Sequence, residues 1–234
     1  LVYKTGGLDL SPAGSRLPLS DYTNSLTALN IPYELLDAAE IMHRWPQWQL
    51  PDHVTGLYQA ESGLVAAAKS NAAHQKMARE YGAVLRDDAL VTNIHAAGNE
   101  ITVVAGGETY HCEKLVIASG AWTNQLLAHF GLKINLTVTQ EQVTYYASPH
   151  LADYSPERFP IWIWLDEPCF YGFPVFGEAG PKIAQDVGGQ EVTAESRTFE
   201  LATAAFRRSE PFLRQHCWAK FSASWPLPVN LSLI

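Results

Sequence analysis

The residue types that most often carry catalysis or bind metals are scattered along this chain. Its 8 histidines include no H-x-x-x-H pair, and its 3 cysteines, Cys112, Cys169 and Cys217, form no C-x-x-C motif. The GxSxG, HExxH, Walker-loop and GxGxxG signatures do not occur in the sequence. Local spacing therefore predicts no metal site and no nucleophile with an adjacent base. An odd number of separated cysteines argues against a disulfide framework and favours a reducing compartment, so we expect a cytoplasmic protein.

The composition is that of a globular protein and excludes two classes of partner. Of 234 residues, 47% are hydrophobic and 17% are charged, which suits one large domain or two small ones. The 24 acidic and 16 basic residues give a net charge of −8 with no basic run, so we expect no nucleic-acid partner. The longest apolar runs, such as 115–118 and 161–165, are far shorter than the ~20 residues that span a bilayer, so we expect no membrane segment.

Hydrophobic periodicity and turn residues predict the elements that must position any site. In the first third we predict strands at 1–4 and 56–60 and helices at 20–29 and 34–44. For the middle third we predict a helix at 64–81 ended by Gly82, a meander at 89–95, 101–104 and 109–111, a buried strand at 115–118 and a helix at 123–130. After Gly131 we predict strands at 136–146, 161–165, 170–175 and 182–187 and a helix at 194–208. Trp162 and Trp164 alternate with isoleucines, a pattern that is more often core than substrate pocket.

Six segments occur in the order and spacing of one flavoenzyme family. They are Thr5-Gly6-Gly7-Leu8, Arg44-Trp45-Pro46, Ser62-Gly63, Leu115-Val116-Ile117-Ala118-Ser119-Gly120-Ala121-Trp122, Tyr171-Gly172-Phe173-Pro174 and Lys182-Ile183-Ala184. Over about residues 1–215 the chain resembles the sarcosine oxidase and N-methyltryptophan oxidase family, which belongs to the D-amino-acid oxidase-like FAD-dependent oxidoreductases. The strand ending in Gly-Ala-Trp is common in that superfamily. The Tyr-Gly-Phe-Pro block, with Lys-Ile eleven residues after its tyrosine, is the more specific mark.

The resemblance implies a fold and an activity. The fold is α/β (α+β), with a partial, Rossmann-like FAD-binding part interleaved with a substrate part on a large mixed β-sheet. Residues 56–131 would form the FAD-binding part, residues 1–55 and 132–216 the substrate and catalytic part, and residues 217–234 stay unassigned. The implied activity is that of an amine oxidase with FAD as cofactor. A secondary amine, an N-methyl amino acid such as sarcosine, is oxidised to an imine while O2 is reduced to hydrogen peroxide.

The resemblance also implies which residues serve this reaction. Lys182 matches a lysine over the flavin that activates oxygen, because a fixed cation stabilises negative charge developing on oxygen. Tyr171 matches a catalytic tyrosine that lines the substrate pocket. The alternatives are a solvated strand lysine and a packed core tyrosine. Asp186 takes the place of a histidine near the substrate, and an anion there disfavours a substrate carboxylate. The remaining implied residues are Ile163 for the substrate and Val91, Gly120, Ala121 and Trp122 for the flavin.

Two parts of the family's pattern do not occur in the sequence. Family members begin with a strand and GxGxxG, which bind the FAD pyrophosphate at a helix N-terminus, and they later carry a flavin-bonding cysteine in a CxYT-like context. Here Cys217 is followed by Trp218-Ala219-Lys220, which is not that context. We therefore expect an internal part of a longer protein, inactive by itself. Two alternatives stay open: a flavin-dependent amino-acid dehydrogenase that uses a carrier instead of O2, and a non-catalytic remnant or binding module.

Overall fold

A computed structural model of the chain describes residues 1–177, 180–200, 203–217 and 229–231, with 203–208 and 229–231 described by their backbone alone. Most of the predicted tail at 217–234 therefore lies outside the described residues. The chain divides into two compact units: unit 1 is Leu1–Ala67, Gln140–Gln190 and Thr198–Ile234, and unit 2 is Ala68–Thr139 and Glu191–Arg197. These boundaries fall later in the chain than the predicted ones at 55/56 and 131/132. The assignment of one part to substrate and the other to flavin stays a prediction.

Unit 1 holds most of the strands. Its elements are β1 Val2–Lys4, β2 Gly7–Pro12, α1 Leu19–Ala28, β3 Glu34–Asp37, α2 Ala38–Arg44, β4 Val54–Gln59, β5 Gly63–Val65, β10 Val143–Tyr145, a 3-10 turn at Leu151–Tyr154, β11 Ile161–Trp164, β12 Phe170–Phe173, β13 Lys182–Gln185, α5 Thr203–His216 and β15 Val229–Leu231. Helix α3, Ala67–Glu80, begins at the end of unit 1 and continues into unit 2. Two short strands, β9 Thr139–Gln140 and β14 Gln190–Glu191, pair with each other.

Eight strands of unit 1 form one mixed sheet in the order β15-β10-β13-β12-β11-β2-β4-β3. Strand β2 runs parallel to β11, and the other neighbours are antiparallel. The large mixed sheet expected from the sequence is therefore confirmed. The remaining pair, β1 with β5, forms a separate antiparallel ribbon. Because Gly63–Val65 belong to that ribbon, the helix predicted at 64–81 begins only at Ala67.

The core of unit 1 lies against one face of this sheet. Leu8 and Leu10 of β2 are 0% exposed, and Trp162 and Trp164 of β11 lie in the same buried cluster. Phe212 of α5 stacks on the Trp162 ring at a centroid distance of 5.6 Å and brings the helix onto the sheet. The interpretation of the alternating tryptophans as core is confirmed. Burial of these large aromatic rings stabilises unit 1, by roughly 25 cal/mol per Å² of apolar surface removed from water.

Unit 2 contains the predicted meander and very little core. Strands β6 Val91–Ala97, β7 Glu100–Ala105 and β8 Glu108–Cys112 form an antiparallel sheet in that order. Helix α3 is followed by Gly82 at φ +90°, the left-handed position that favours glycine, as predicted. A 3-10 turn at Gly120–Trp122 leads into α4 Thr123–Leu127, and a second 3-10 turn at Ala128–Phe130 ends the helical segment.

The strand predicted at 115–118 is not formed. Those residues lie outside any strand, and Val116 is 87% exposed. A continuous apolar run becomes a buried strand only where neighbouring strands pair with its backbone on both sides. The strands described in unit 2 pair among themselves, so this run has no strand to join.

Two predicted helices are also wrong in part. Residues 34–37 of the helix predicted at 34–44 form β3, because Leu36 pairs with Gly56 of β4 and is buried. The Asp37 carboxylate then accepts a hydrogen bond from the Glu40 amide at 2.8 Å, so α2 begins at Ala38. The helix predicted at 194–208 is displaced toward the C-terminus. Side chains of Thr193 and Ser196 accept hydrogen bonds from each other's amides and close a turn instead.

Among the described residues no helix is long and apolar enough to cross a membrane.

Candidate active site

One face of the large sheet carries the side chains that the sequence predicted for substrate binding and oxygen activation. Because side chains alternate along a strand, the neighbours of the buried core residues lie on the opposite face. Asp9 of β2 pairs with Ile163 of β11, and Ile163 pairs with Tyr171 of β12. In the next row of the same face, Phe173 of β12 pairs with Lys182 of β13. The predicted residues Ile163, Tyr171 and Lys182 therefore lie together in two adjacent rows.

Lys182 is a half-buried cation held against aromatic rings. Its Nζ lies 3.7 Å from the centroid of the Phe173 ring and 5.7 Å from that of Tyr171. Removal of the ammonium from water lowers the pKa of Lys182 to about 8. The contact with the ring faces offsets part of that cost through the ring quadrupoles. Lys182 is therefore charged at neutral pH, and its charge is only partly screened by water.

Two further predicted residues, Tyr171 and Asp186, interact electrostatically with each other. Burial raises the pKa of the half-buried Tyr171 hydroxyl, and the negative charge of Asp186 raises it further. Tyr171 is therefore a neutral hydrogen-bond donor at physiological pH. Asp186 is exposed, and its backbone amide donates to the carbonyl of Cys169 at 2.9 Å. Burial and the Asp186 charge raise the pKa of the Cys169 thiol to about 11, which keeps it protonated.

A cavity of about 920 Å³ opens beside the same face, between α1 and strands β2 and β4. Asp9, Tyr22, Leu26, Leu57 and Gln59 are among its lining residues. Burial raises the pKa of the Asp9 carboxyl to about 6. Burial also raises the pKa of the Tyr22 hydroxyl, followed by the charges of Asp9 and Asp186 among others. Tyr22 is therefore within electrostatic reach of both carboxylates.

Sequence reasoning missed Asp9 and Tyr22. A signal for Asp9 was present, since it is a carboxylate between two leucines on a strand whose leucines are 0% exposed. A charged residue inside such a strand must point to the other face, and there it costs free energy unless that face is open or functional. Tyr22 gave no such signal. Its position follows from how α1 lies over β2 and β4, which is decided by tertiary packing.

The four residues predicted for the flavin lie in unit 2. Val91, Gly120 and Trp122 line one cleft of about 800 Å³ together with Ala118 and Ser119. Ala121 lies between Gly120 and Trp122 in the 3-10 turn. The structure thus brings the start of β6 and the Gly-Ala-Trp turn together within unit 2. Lys182, Tyr171, Ile163 and Asp186 all belong to unit 1.

At Gly120 the wall of this cleft is backbone without a side chain. Gly120 adopts φ +54°, a left-handed conformation that side chains disfavour, and a Cβ built on it meets no atom within 4 Å. Trp122 is 42% exposed, so its indole ring remains accessible. Arg197 lies over the Trp122 ring, with its guanidinium carbon 5.8 Å from the centroid. These features make a concave site with an aromatic wall and bare backbone, which suits part of a planar aromatic cofactor.

The chain is similar to curated oxidases over most of its length. It is 28% identical over 218 residues to the N-methyl-L-tryptophan oxidase of Salmonella heidelberg (strain SL476), covering 92% of this chain and 57% of that protein. It is 32% identical over 174 residues to the monomeric sarcosine oxidase of Streptomyces avermitilis, covering 72% of this chain and 44% of that protein. The chain therefore spans about half the length of the curated relatives that it matches.

Solved structures share its fold. The open form of NikD, an unusual amino acid oxidase essential for nikkomycin biosynthesis, superposes with a TM-score of 0.79 at 22% identity, covering 98% of this chain and 61% of that one. L-proline dehydrogenase from P. horikoshii gives a TM-score of 0.71 at 17% identity, covering 99% and 61%. At such identities the likeness shows the fold alone.

Family membership follows from a match that covers most of the chain. The sequence model of the DAO family, described as FAD dependent oxidoreductase, matches residues 2–221. That span includes the sheet face with Lys182 and Tyr171 as well as the cleft with Gly120 and Trp122. This chain belongs to the DAO family of FAD-dependent oxidoreductases.

Proposed function

We propose that this chain forms the substrate part and some of the flavin part of an FAD-dependent amine oxidase that acts on a secondary amine. The observation that carries the proposal is Lys182, a half-buried ammonium held over the rings of Phe173 and Tyr171. A solvated lysine on a strand extends its ammonium into water. The Lys182 ammonium instead loses part of its hydration and lies against the aromatic rings. Unit 1 would bind the substrate, and unit 2 would bind part of the flavin.

The proposed reaction balances without a further reactant. A secondary amine, such as an N-methyl amino acid, loses two electrons and two protons from its C–N unit and becomes an imine, which water then hydrolyses. Dioxygen takes up the two electrons and two protons and leaves as hydrogen peroxide. When bound, FAD supplies the redox chemistry by accepting the electron pair and passing it to oxygen. The residues of the chain position the reactants and stabilise charge.

Lys182 would serve the oxygen half of this reaction. Negative charge develops on dioxygen as it takes up electrons, and little water is present to solvate that charge. A preorganised ammonium stabilises it, and one well-placed donor or charge of this kind is worth roughly 3–4 kcal/mol. Because burial lowers the pKa of Lys182 to about 8, this stabilisation is present below pH 8 and is lost as the pH rises above it.

Tyr171, Ile163 and Asp186 would bind the amine. The Tyr171 hydroxyl stays protonated and can donate a hydrogen bond to the substrate. Ile163 lies between Tyr171 and Asp9 in the same row and supplies an apolar surface. Asp186 places a negative charge within electrostatic reach of Tyr171, and this charge attracts an ammonium and repels a carboxylate.

Residues of the unit 2 cleft would hold part of the FAD. The cleft offers backbone without bulky side chains and an indole ring, which together fit a planar ring system. The residues concerned are Val91, Gly120, Ala121 and Trp122. The three cysteines, Cys112, Cys169 and Cys217, are free. Free thiols support a reducing compartment, and we therefore place this activity in the cytoplasm.

The test uses a chimera in which this chain is joined to the flanking segments of the N-methyl-L-tryptophan oxidase relative. In Lys182→Met the length of the side chain is kept and the charge is lost. We expect reoxidation of the reduced flavin by oxygen to slow by about 10² to 10³-fold, while anaerobic reduction by substrate changes much less. Stopped-flow spectroscopy times the two half-reactions separately.

The matched control is Lys133→Met, which removes an exposed lysine. Its reoxidation rate should equal that of the parent. In the parent, reoxidation should also slow as the pH rises through about 8, and this dependence should vanish in Lys182→Met. A Lys182→Met chimera that reoxidises within a few-fold of the parent would assign Lys182 a structural role and remove the main support for the oxidase.

A further inference from the structure

The Asp9 carboxylate is an uncompensated negative charge at the edge of the 920 Å³ cavity. Within the described residues it accepts no hydrogen bond and forms no ion pair, in contrast to Glu34, which is paired with Arg44. Burial raises the pKa of Asp9 to about 6, and no cation of the described part of the chain offsets this effect. The carboxylate is nevertheless ionised at neutral pH and above. A carboxylate kept in this state without a partner is suited to a cation from outside the chain.

The other charged residues that line the cavity are less suited than Asp9 to bind a cation. The described lining residues include no lysine, arginine or histidine. Glu61 is paired with Lys4 in an exposed salt bridge. Asp21 lies exposed in the first turn of α1, where water screens it. Asp9 is therefore the lining carboxylate that is both half-buried and unpaired.

The position of Asp9 relates the cavity to the residues proposed for catalysis. It lies two strands from Tyr171 in the same row, through Ile163. Strands lie about 4.8 Å apart, so the two backbones are about 10 Å apart. At about 1.2 Å of reach per bond in an extended chain, a linker of roughly six carbons between two nitrogens covers most of that distance, and the Asp9 side chain covers the rest.

We propose that Asp9 is a specificity-determining residue that binds a second, cationic group of the substrate, so that the enzyme acts on alkyl diamines in which the oxidised nitrogen is a secondary amine. This inference rests on the proposed amine oxidation. One nitrogen is oxidised beside Tyr171, and the other, as an ammonium, binds the Asp9 carboxylate in the cavity. Ile163, which lies between Asp9 and Tyr171 in the row, contributes apolar surface for the alkyl linker. The Tyr22 hydroxyl, which lines the cavity beside Asp9, is within electrostatic reach of the bound charge. The exposed Asp186 adds to the attraction for a dication.

The experiment measures binding by calorimetry to the chain as it stands, with N-methyl-1,6-diaminohexane as the dication and N-methylhexylamine as the monocation. At about pH 8, where Asp9 is ionised, we expect the diamine to bind at least about tenfold more tightly than N-methylhexylamine. Asp9→Asn keeps the shape and removes the charge, and it should weaken diamine binding by about tenfold or more. Asp21→Asn makes the same change at an exposed carboxylate of the cavity and should change the affinity by less than about threefold.

Several outcomes would overturn the proposal: no diamine binding, equal affinity for the two amines, or an Asp9→Asn affinity within about threefold of the parent. Urea unfolding of each variant shows that it is folded before its affinity is compared. Binding is measured without flavin or turnover. A chimera without oxidase activity would therefore refute the proposed function, while the binding measurement still decides the role of Asp9. An active chimera, together with an Asp9→Asn variant whose diamine affinity is unchanged, would refute this inference alone.

Discussion

Asp9→Asn should stabilise the folded chain above pH 6, although it alters a residue proposed for binding. Burial raises the pKa of Asp9 from 3.8 in the unfolded chain to about 6 in the folded chain. The folded state therefore favours the protonated carboxyl and disfavours the carboxylate. For an acid with a raised pKa, the contribution to stability is complete below pH 3.8 and is lost as the pH rises through about 6. Asparagine carries no charge and has no such dependence.

The magnitude follows from the size of the shift. A rise of about 2 pKa units corresponds to about 3 kcal/mol, at 1.36 kcal/mol per unit. Asp9 is open to solvent through the cavity, so screening reduces the value, and we expect about 1–2 kcal/mol. At about pH 8 the free energy of unfolding of Asp9→Asn should exceed that of the parent by this amount. At about pH 4 the difference should largely disappear.

Urea denaturation monitored by tryptophan fluorescence measures these free energies, since the chain has 7 tryptophans. Parent and variant are compared at several pH values, so that other titrating groups cancel in the difference. Asp21→Asn is the control, because it removes an exposed carboxylate from the same cavity, and its effect should stay within about 0.5 kcal/mol at every pH. A difference between Asp9→Asn and the parent that does not grow between pH 4 and pH 8 would refute the account of Asp9 as a desolvated, unpaired carboxylate.

Two further predictions concern the core of unit 1. Gly172→Ala should lower the free energy of unfolding by about 1–3 kcal/mol, because a Cβ at that position meets Cε2 of Trp162 at 2.4 Å. In a double-mutant cycle, Trp162→Phe should recover part of that loss. Purely additive effects of the two substitutions in urea denaturation would contradict this. Cys217 is buried, and burial raises the pKa of its thiol, so the native chain should label at Cys217 far more slowly than at the half-buried Cys112. Mass spectrometry of labelled peptides measures both rates, and equal rates, or a flavin adduct at Cys217 in the chimera, would show that this thiol is accessible.

The sequence was most informative where the chain's own pattern decides the structure. Period-two alternation placed the tryptophans of β11 in the core, and turn residues located the meander of unit 2 and the left-handed Gly82. The family motifs added the residues of the cleft, although spacing alone predicted no site at all.

The sequence was least informative where a distant segment competes with the local pattern. Glu34–Asp37 carry a helical pattern but pair with β4, and the apolar run at 115–118 lacks the neighbouring strands that would make it a strand. Strand pairing depends on which segments meet in space, and no local period records that.

The sequence by itself determined the family, the mixed sheet and the chemical identity of the candidate residues, because motif order and side-chain period are properties of the chain alone. Tertiary structure decided which of those residues meet. Only the register of β2 against β11 places Asp9 in the row of Ile163 and Tyr171, and only the packing of α1 beside β2 and β4 creates the cavity that Asp9 lines. The desolvation that shifts the pKa values of Asp9 and Lys182 comes from the tertiary packing around each residue. Burial is set by the whole fold, so the same two residues in an extended chain would titrate as ordinary side chains.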